Sequence, residues 1–134
     1  QVEDIEGEID FGEGMASIYG HGENYQIIRQ HKEFAQLVTN TYGAGRSVYL
    51  AGLPYSPQNC RLLLRAIYWA AAKEDEMKKY YVDNVNAEVA AFEAVGKIVV
   101  INNSLDALDT HLYVEGNLRE KLRLAPMEMR WLDI

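Results

Sequence analysis

The sequence has 134 residues, of which 49% are hydrophobic and 25% charged, a mix that is typical of a soluble globular protein. A chain of this length forms one domain or two small ones, and it is too short for a (β/α)8 barrel of about 250 residues. The net charge of −7 argues against a nucleic-acid-binding protein, because phosphate backbones select for basic surfaces.

The cysteine content and the length of the apolar stretches favour a cytoplasmic location. Cys60 is the single cysteine and cannot form an internal disulfide, so nothing indicates an oxidising compartment. The longest apolar stretch, 62–72, is interrupted by Arg65 and is shorter than the roughly 18 residues that a membrane span needs. Because the chain begins with Gln1 instead of methionine, we expect a processed or excised piece.

The first third of the chain is irregular and then becomes strand-forming. Residues 1–24 are acidic and rich in glycine, which favours irregular structure or short edge strands over a helix. Residue types that are common in strands then fill three segments, 25–30, 34–41 and 47–53. The glycines at 43 and 45 lie between the last two segments and predict a hairpin.

One helix is predicted at 57–72. Ser56 is a favoured N-cap residue, and Pro57 suits the first helical position, where its missing N–H costs nothing. Apolar residues follow at helical spacing on one side, and Leu62, Ala66 and Trp69 add apolar groups on the other. A helix that is apolar on all sides is expected to be buried on more than one face. We therefore expect it to pack on its own sheet and against something else.

From Tyr80 onward the sequence predicts only strands, at 80–83, 87–93, 97–102, 110–114, 118–124 and 127–132. The segment 98–101 is apolar on both faces and should form a central strand, while Leu118, Leu122 and Leu124 should share one face. Short strands with regular turn signals predict a small antiparallel sandwich or barrel. The overall class is α+β, with a partial α/β piece over residues 1–79 and an all-β domain over residues 80–134.

No catalytic or cofactor-binding residue is identified. His21, His31 and His111 are not at metal-ligand spacing. Gly43–Ser47 superficially resembles a phosphate loop, but it lacks the lysine and precedes a strand, so it is expected to be a turn. Cys60 is expected to be an inert core thiol.

Three further features have ordinary interpretations. Glu8, Asp10 and Glu13 could imitate a glycosidase carboxylate pair, but charge this dense in a glycine-rich segment is expected to be solvated. The tripeptide 102–104 matches a glycosylation sequon at a strand end. Trp69 and Trp131 are expected to fill cores rather than to bind sugar.

A resemblance to a known family extends this interpretation. Residues 45–71, GRSVYLAGLPYSPQNCRLLLRAIYWAA, resemble the galacto-N-biose/lacto-N-biose phosphorylases. The segments IDFGEGM at 9–15, VVINN at 99–103 and MRWLDI at 129–134 are similar to segments of the same enzymes in the same order.

The resemblance implies a catalytic barrel, a central glutamine-amidotransferase-like α/β domain and a C-terminal β domain, of which this chain would hold the last two in part. The implied reaction is reversible phosphorolysis of a terminal β-galactoside, with inversion, to α-galactose 1-phosphate. Such a reaction needs a general acid and cationic residues that hold phosphate. In the family these groups lie on the barrel, so none is transferred to a residue here.

The resemblance therefore implies a non-catalytic, scaffolding fragment without a cofactor, inorganic phosphate being the parent enzyme's co-substrate. Its partners would be the missing N-terminal barrel and a second subunit in a homodimer, with β-galactoside and phosphate as ligands of the parent. The sequence leaves two alternatives open: a carbohydrate-binding module that uses exposed tyrosines, and an amidotransferase-like accessory domain of another glycosidase.

Overall fold

The structure is a computed structural model that describes residues 7–13, 18 and 22–134. The chain divides into two compact units, Gln1–Glu74 and Asp75–Ile134. A mostly antiparallel β structure with one main helix makes the chain an α+β protein.

The first unit contains the three predicted strands in one antiparallel sheet, in the order β1-β2-β3. The turn between β2 and β3 consists of Gly43 and Ala44, and Gly43 has a φ of 58°, a conformation that favours glycine. The elements of this unit are β1 (Tyr25–His31), β2 (Phe34–Tyr42), β3 (Gly45–Leu50) and the helix α1 (Pro57–Ala70).

Side-chain hydrogen bonds stabilise both ends of α1. The Ser56 hydroxyl accepts a hydrogen bond from the backbone N–H of Asn59 at 3.1 Å, and Pro57 occupies the first turn, as predicted. At the other end, the guanidinium of Arg46 on β3 donates to the carbonyl oxygen of Trp69 at 3.2 Å. A cation at the C-terminal end of a helix is favourable, because the helix dipole is negative there.

The inner side of α1 packs on the sheet. Leu62 is buried together with Phe11 and Leu37, so helix, sheet and N-terminal segment share one small core. Asn59 is buried beside them and donates to the backbone oxygens of Asp10 and Pro54 at 2.7 and 2.6 Å. The predicted packing of the helix on its own sheet is therefore confirmed.

The second unit consists of two three-stranded antiparallel sheets, β4-β7-β8 and β5-β6-β9. One side chain layer from each sheet enters a common core, with Leu112 and Leu124 from the first sheet and Ile98 and Val100 from the second. After the short helix α2 (Glu74–Met77) the strands are β4 (Tyr80–Val82), β5 (Ala87–Phe92), β6 (Lys97–Asn102), β7 (Leu108–Val114), β8 (Asn117–Leu124) and β9 (Met129–Asp133).

Two predictions about strand faces have different outcomes. β6 is the central strand of its sheet, between β5 and β9, as its apolar character on both faces indicated. The prediction that Leu118 shares a face with Leu122 and Leu124 is wrong, since Leu118 is exposed and the other two are buried. A register shift pairs Leu112 with Glu120 and Tyr113 with Leu118, and such a bulge reverses the alternation of the strand.

The common core predicts a large cost for truncating its members. Leu112 is 1% exposed, and we expect Leu112→Ala to lower the free energy of unfolding by about 2–5 kcal/mol, through lost apolar burial and the cavity left behind. Urea unfolding followed by circular dichroism measures the change. Leu105→Ala is the matched control, because Leu105 is 83% exposed and its truncation should change stability by less than about 0.5 kcal/mol. Equal effects of the two variants would contradict the described core.

Candidate functional site

The three histidines do not form a site. His31 lies exposed at the end of β1, and His111 lies on β7 beside Asp83; His21 lies outside the described residues. Within residues 7–13, 18 and 22–134, no three histidine, cysteine, aspartate or glutamate side chains are grouped so that they could hold a metal ion.

The segment that superficially resembles a phosphate loop is the turn between β2 and β3. Its one cation, Arg46, is engaged within the first unit: Nη1 lies 2.5 Å from Oε1 of Glu74, and the guanidinium lies 5.2 Å from the ring centroid of Trp69. A cation that is already paired with a carboxylate and stacked on an indole is poorly placed to hold phosphate. The prediction of a turn is confirmed.

The prediction that Cys60 is a buried core thiol is wrong, because Cys60 is exposed. It lies on the side of α1 opposite Leu62, together with three large aliphatic residues. We call Cys60, Leu63, Leu64 and Ile67 the α1 stripe; its three aliphatic members are between 45% and 56% exposed. Their i, i+3, i+4, i+7 spacing makes one continuous apolar face along the helix.

The acidic residues near the N-terminus and the asparagine of the sequon have ordinary structural roles. Glu8, Asp10 and Glu13 are exposed, and Oδ1 of Asp10 accepts a hydrogen bond from the N–H of Gly12 at 2.7 Å in a local turn. Asn102 of the sequon is fully buried. Its side chain bonds to Ser104, to the carbonyl oxygen of Asp106 and to that of Ala125, so it closes a loop and is inaccessible for glycosylation in the folded protein.

The prediction that both tryptophans fill cores is wrong for Trp131. Trp69 is half-buried under Arg46, but Trp131 is exposed on the outer face of its sheet. The reason is the alternation of β9, in which Leu132 faces the common core and Trp131 therefore faces outward. The apolar character of a tryptophan favours the interior, but only the strand register shows on which side of the sheet Trp131 lies.

Two tyrosines lie on the outer face of the other sheet. The rings of Tyr81 and Tyr113 are parallel, with centroids 4.6 Å apart. Because each ring covers one face of the other, this pair offers less open aromatic surface than the same residues would offer apart.

Asp83, which directly follows β4, is an exposed carboxylate that accepts several hydrogen bonds. Its Oδ1 accepts from the Thr110 hydroxyl at 3.0 Å and from the backbone N–H of His111 at 2.8 Å, and Oδ2 lies 2.7 Å from Nδ1 of His111. Since an ionised carboxylate only accepts, Nδ1 of His111 carries the proton. Burial works to raise the pKa of Asp83, but the hydrogen bonds from His111 and Thr110 outweigh it and hold the pKa below its ordinary value.

This cluster was not identified from the sequence, where Asp83 and His111 are 28 positions apart. It connects the residue after β4 to β7 through His111 and through the buried Thr110 hydroxyl. Among the described residues, no helix has the length and apolar content needed to cross a membrane.

Comparison with known proteins gives two family matches. Residues 1–75 match the family model described as the lacto-N-biose phosphorylase central domain, and residues 80–132 match the model of the C-terminal domain of the same enzymes.

Individual relatives agree with the family matches. The chain is 42% identical to a 1,3-β-galactosyl-N-acetylhexosamine phosphorylase of Lachnoclostridium phytofermentans over 97% of its length, and 38% identical to one of Bifidobacterium longum over 95%. A D-galactosyl-β-1→4-L-rhamnose phosphorylase of L. phytofermentans is 28% identical over 72% of the chain. The chain spans only 18% of the first of these relatives and 17% of the second.

The hydrogen bonds of Asp83 predict a pH-dependent contribution to stability. A carboxylate whose pKa is lowered on folding stabilises the fold above its unfolded pKa, and that contribution is lost as the pH falls through the folded pKa. We expect Asp83→Asn to lower the free energy of unfolding at pH 7 by about 1 kcal/mol. The difference from wild type should begin to shrink as the pH falls below about 4, the ordinary pKa of an aspartate in the unfolded chain, and should be lost as the pH passes the lower pKa of the folded protein.

Urea unfolding at several pH values between about 3 and 7 measures this difference. Asp109→Asn is the control: Asp109 lies on the same sheet face, is 70% exposed and pairs with Arg123 at 3.0 Å, so its effect should be smaller at every pH. A constant offset of Asp83→Asn over the whole pH range would show that the carboxylate's charge is irrelevant.

Proposed function

Because the chain belongs to the lacto-N-biose phosphorylase family, we propose that it is the non-catalytic C-terminal region of an inverting glycoside phosphorylase. The parent enzyme would cleave a terminal β-galactoside of the galacto-N-biose or lacto-N-biose type with inorganic phosphate and release α-galactose 1-phosphate. The chain itself would act as a scaffold for the remainder of that enzyme, in the cytoplasm.

The α1 stripe is the observation that carries this proposal. Every exposed residue of α1 belongs to the stripe, whereas the polar Asn59 is buried and the arginines 61 and 65 are half-buried. Monomeric proteins rarely leave a continuous apolar face in water, and such faces mark contacts with other protein surfaces. The relatives' remaining length, more than four-fifths of the first of them, provides protein that could cover the stripe.

The charges of the second unit support a non-catalytic role. Phosphorolysis needs cations that are free to hold phosphate. Of the seven lysines and arginines of the second unit, four are already paired with carboxylates at 2.5–3.0 Å: Lys79 with Glu93, Lys97 with Asp133, Arg123 with Asp109, and Arg130 with Glu128.

The same proposal includes a fold assignment for each of the two units. The first unit would be the end of a glutamine-amidotransferase-like α/β domain, in which further strands continue its sheet. The second unit would be a closed β-sandwich, which is supported by the core that its two sheets share. A structure of the full-length protein with no strand beside β1 would contradict the first assignment.

Activity assays test the non-catalytic role. The 134-residue chain, incubated with galacto-N-biose and phosphate, should release no galactose 1-phosphate above the blank, because the general acid and the phosphate site would lie outside it. The full-length protein should convert the same substrate, which checks the assay and the proposed reaction together. Turnover by the chain alone would overturn the non-catalytic role, and an inactive full-length protein would overturn the proposed reaction.

Substitution of the stripe tests the scaffold. In the full-length protein we expect Leu64→Asp to lower the melting temperature by several degrees, because it would place a charge in a covered apolar contact, at a cost of about 2 kcal/mol or more. In the isolated chain the same change should have little effect, since Leu64 is exposed there.

Tyr42→Asp is the matched control. Tyr42 ends β2 and is exposed in the same unit, so the same type of change should leave the melting temperature of both proteins nearly unchanged. If Leu64→Asp were equally harmless in the full-length protein, the stripe would not be a contact surface and the scaffold role would fail.

A further inference from the structure

We propose that the outer face of the sheet β5-β6-β9 binds carbohydrate, by stacking of a sugar ring on Trp131 and Phe92 and by hydrogen bonds from its hydroxyls to the charged groups at the two ends of the face. We call this surface the aromatic face. It lies outside the α1 stripe and takes no part in the chemistry proposed for the parent enzyme.

The register of the three strands defines the aromatic face as three rows. The middle row pairs Val99 of β6 with Ala90 on one side and Trp131 on the other. One end row consists of Phe92, Lys97 and Asp133, and the opposite end row consists of Glu88, Ile101 and Met129. The alternate residues of the same strands, including Ile98 and Val100, enter the common core, so these nine positions point outward.

The two aromatic rings meet above the central strand. Their centroids are 5.6 Å apart with an interplanar angle of 37°, whereas β5 and β9, which flank β6, lie about 9.5 Å apart in an ordinary sheet. The side chains of Phe92 and Trp131 therefore lean toward each other across β6. Val99 faces the outer side of the sheet beneath these rings and is only 4% exposed, while Phe92 and Trp131 remain 46% and 57% exposed.

Polar groups lie at both ends of this aromatic pair. In one end row Nζ of Lys97 contacts Oδ1 of Asp133 at 2.5 Å. In the other, Oε2 of Glu88 accepts from the amide of Asn103 at 3.1 Å. The aromatic centre is thus bordered by two carboxylates, an amide and an ammonium group, each with hydrogen-bonding capacity beyond its described contact.

This composition favours a sugar over other occupants. A protein surface laid across the whole face would have to desolvate three charged groups, Glu88, Lys97 and Asp133, and such groups are depleted from interface cores. An anionic ligand would be repelled by two carboxylates in a chain of net charge −7. A neutral pyranose matches the face, because its C–H side is apolar and its hydroxyls both donate and accept.

A titration of the 134-residue chain tests the proposal. Methyl β-D-galactopyranoside and galacto-N-biose are the probes, a choice that rests on the proposed function. Heteronuclear NMR should show saturable shifts of the Trp131 indole N–H and of the β6 amides, with a dissociation constant on the order of 1 mM or weaker, as befits an open surface. Glycerol at equal hydroxyl concentration should not reproduce these shifts.

Variants locate the binding surface. Trp131→Ala should weaken binding, followed at the β6 amides, by about ten-fold or more, and Glu88→Ala, an exposed change that keeps the rings in place, should weaken it by a smaller factor. Tyr113→Ala, on the outer face of the other sheet, should leave affinity unchanged. Circular dichroism establishes that each variant is folded, and Glu88→Ala keeps the proposal testable if Trp131→Ala unfolds.

Three results would overturn the proposal. One is the absence of saturable shifts up to about 50 mM sugar; another is an affinity that none of the aromatic-face variants changes. The third is a shift of the same resonances on protein dilution instead of on sugar addition, which would identify the face as a contact between two copies of the chain. Phosphorolysis by the full-length protein is measured separately, so failure of either proposal leaves the other distinguishable.

Discussion

The strand β6 is apolar on both of its faces, and the arrangement of the second unit follows from that constraint. Ile98 and Val100 enter the common core between the two sheets, so Val99 must lie on the opposite side. An apolar side chain on an outer face would be exposed to water, and the strands on either side of β6 supply the cover. Phe92 and Trp131 close over Val99 and thereby become exposed themselves. Val99 on the central strand is thus shielded from water, and the two aromatic side chains beside it remain partly exposed.

The first unit has a related surplus of apolar surface. The helix α1 packs on one face of the three-stranded sheet, and Leu62 makes this contact together with Phe11 and Leu37. The remaining aliphatic residues of α1 have no second layer among the described residues to pack on. Their periodicity is that of a helix packed on two sides, and the structure shows only one of those sides covered.

Much of this fold could be predicted from local signals. Ser56 and Pro57 gave the start of α1 correctly, the glycines at 43 and 45 marked the hairpin, and the run 98–101 gave the central strand. These signals depend only on residues that are close together in the sequence, so they can be recognised without knowledge of the fold. The errors arose where a side chain's surroundings depend on distant partners. Leu118 was misplaced because a bulge in β8 reverses its alternation.

Cys60 and Trp131 were misplaced for a different reason. Both are residue types that are commonly buried or nearly so, and burial was inferred from type. The side of α1 or β9 on which each lies is set by the register and packing of the whole element. The Asp83–His111 pair was missed because only the pairing of β4 with β7 brings the two residues together. The residues around each of them in the sequence give no indication of the contact.

The α1 stripe and the aromatic face are similar in exposure but differ in chemistry, and that difference is why different occupants are proposed for them. The stripe consists of a thiol and aliphatic groups at helical spacing, which interlock with the ridges of another protein element and bind no hydroxyl. The aromatic face has flat rings between groups that donate and accept hydrogen bonds. Covering the stripe requires a shaped apolar partner, such as the rest of the proposed enzyme. Covering the aromatic face requires a ligand that is apolar on one side and polar around its edge, and a sugar has that character without any protein partner.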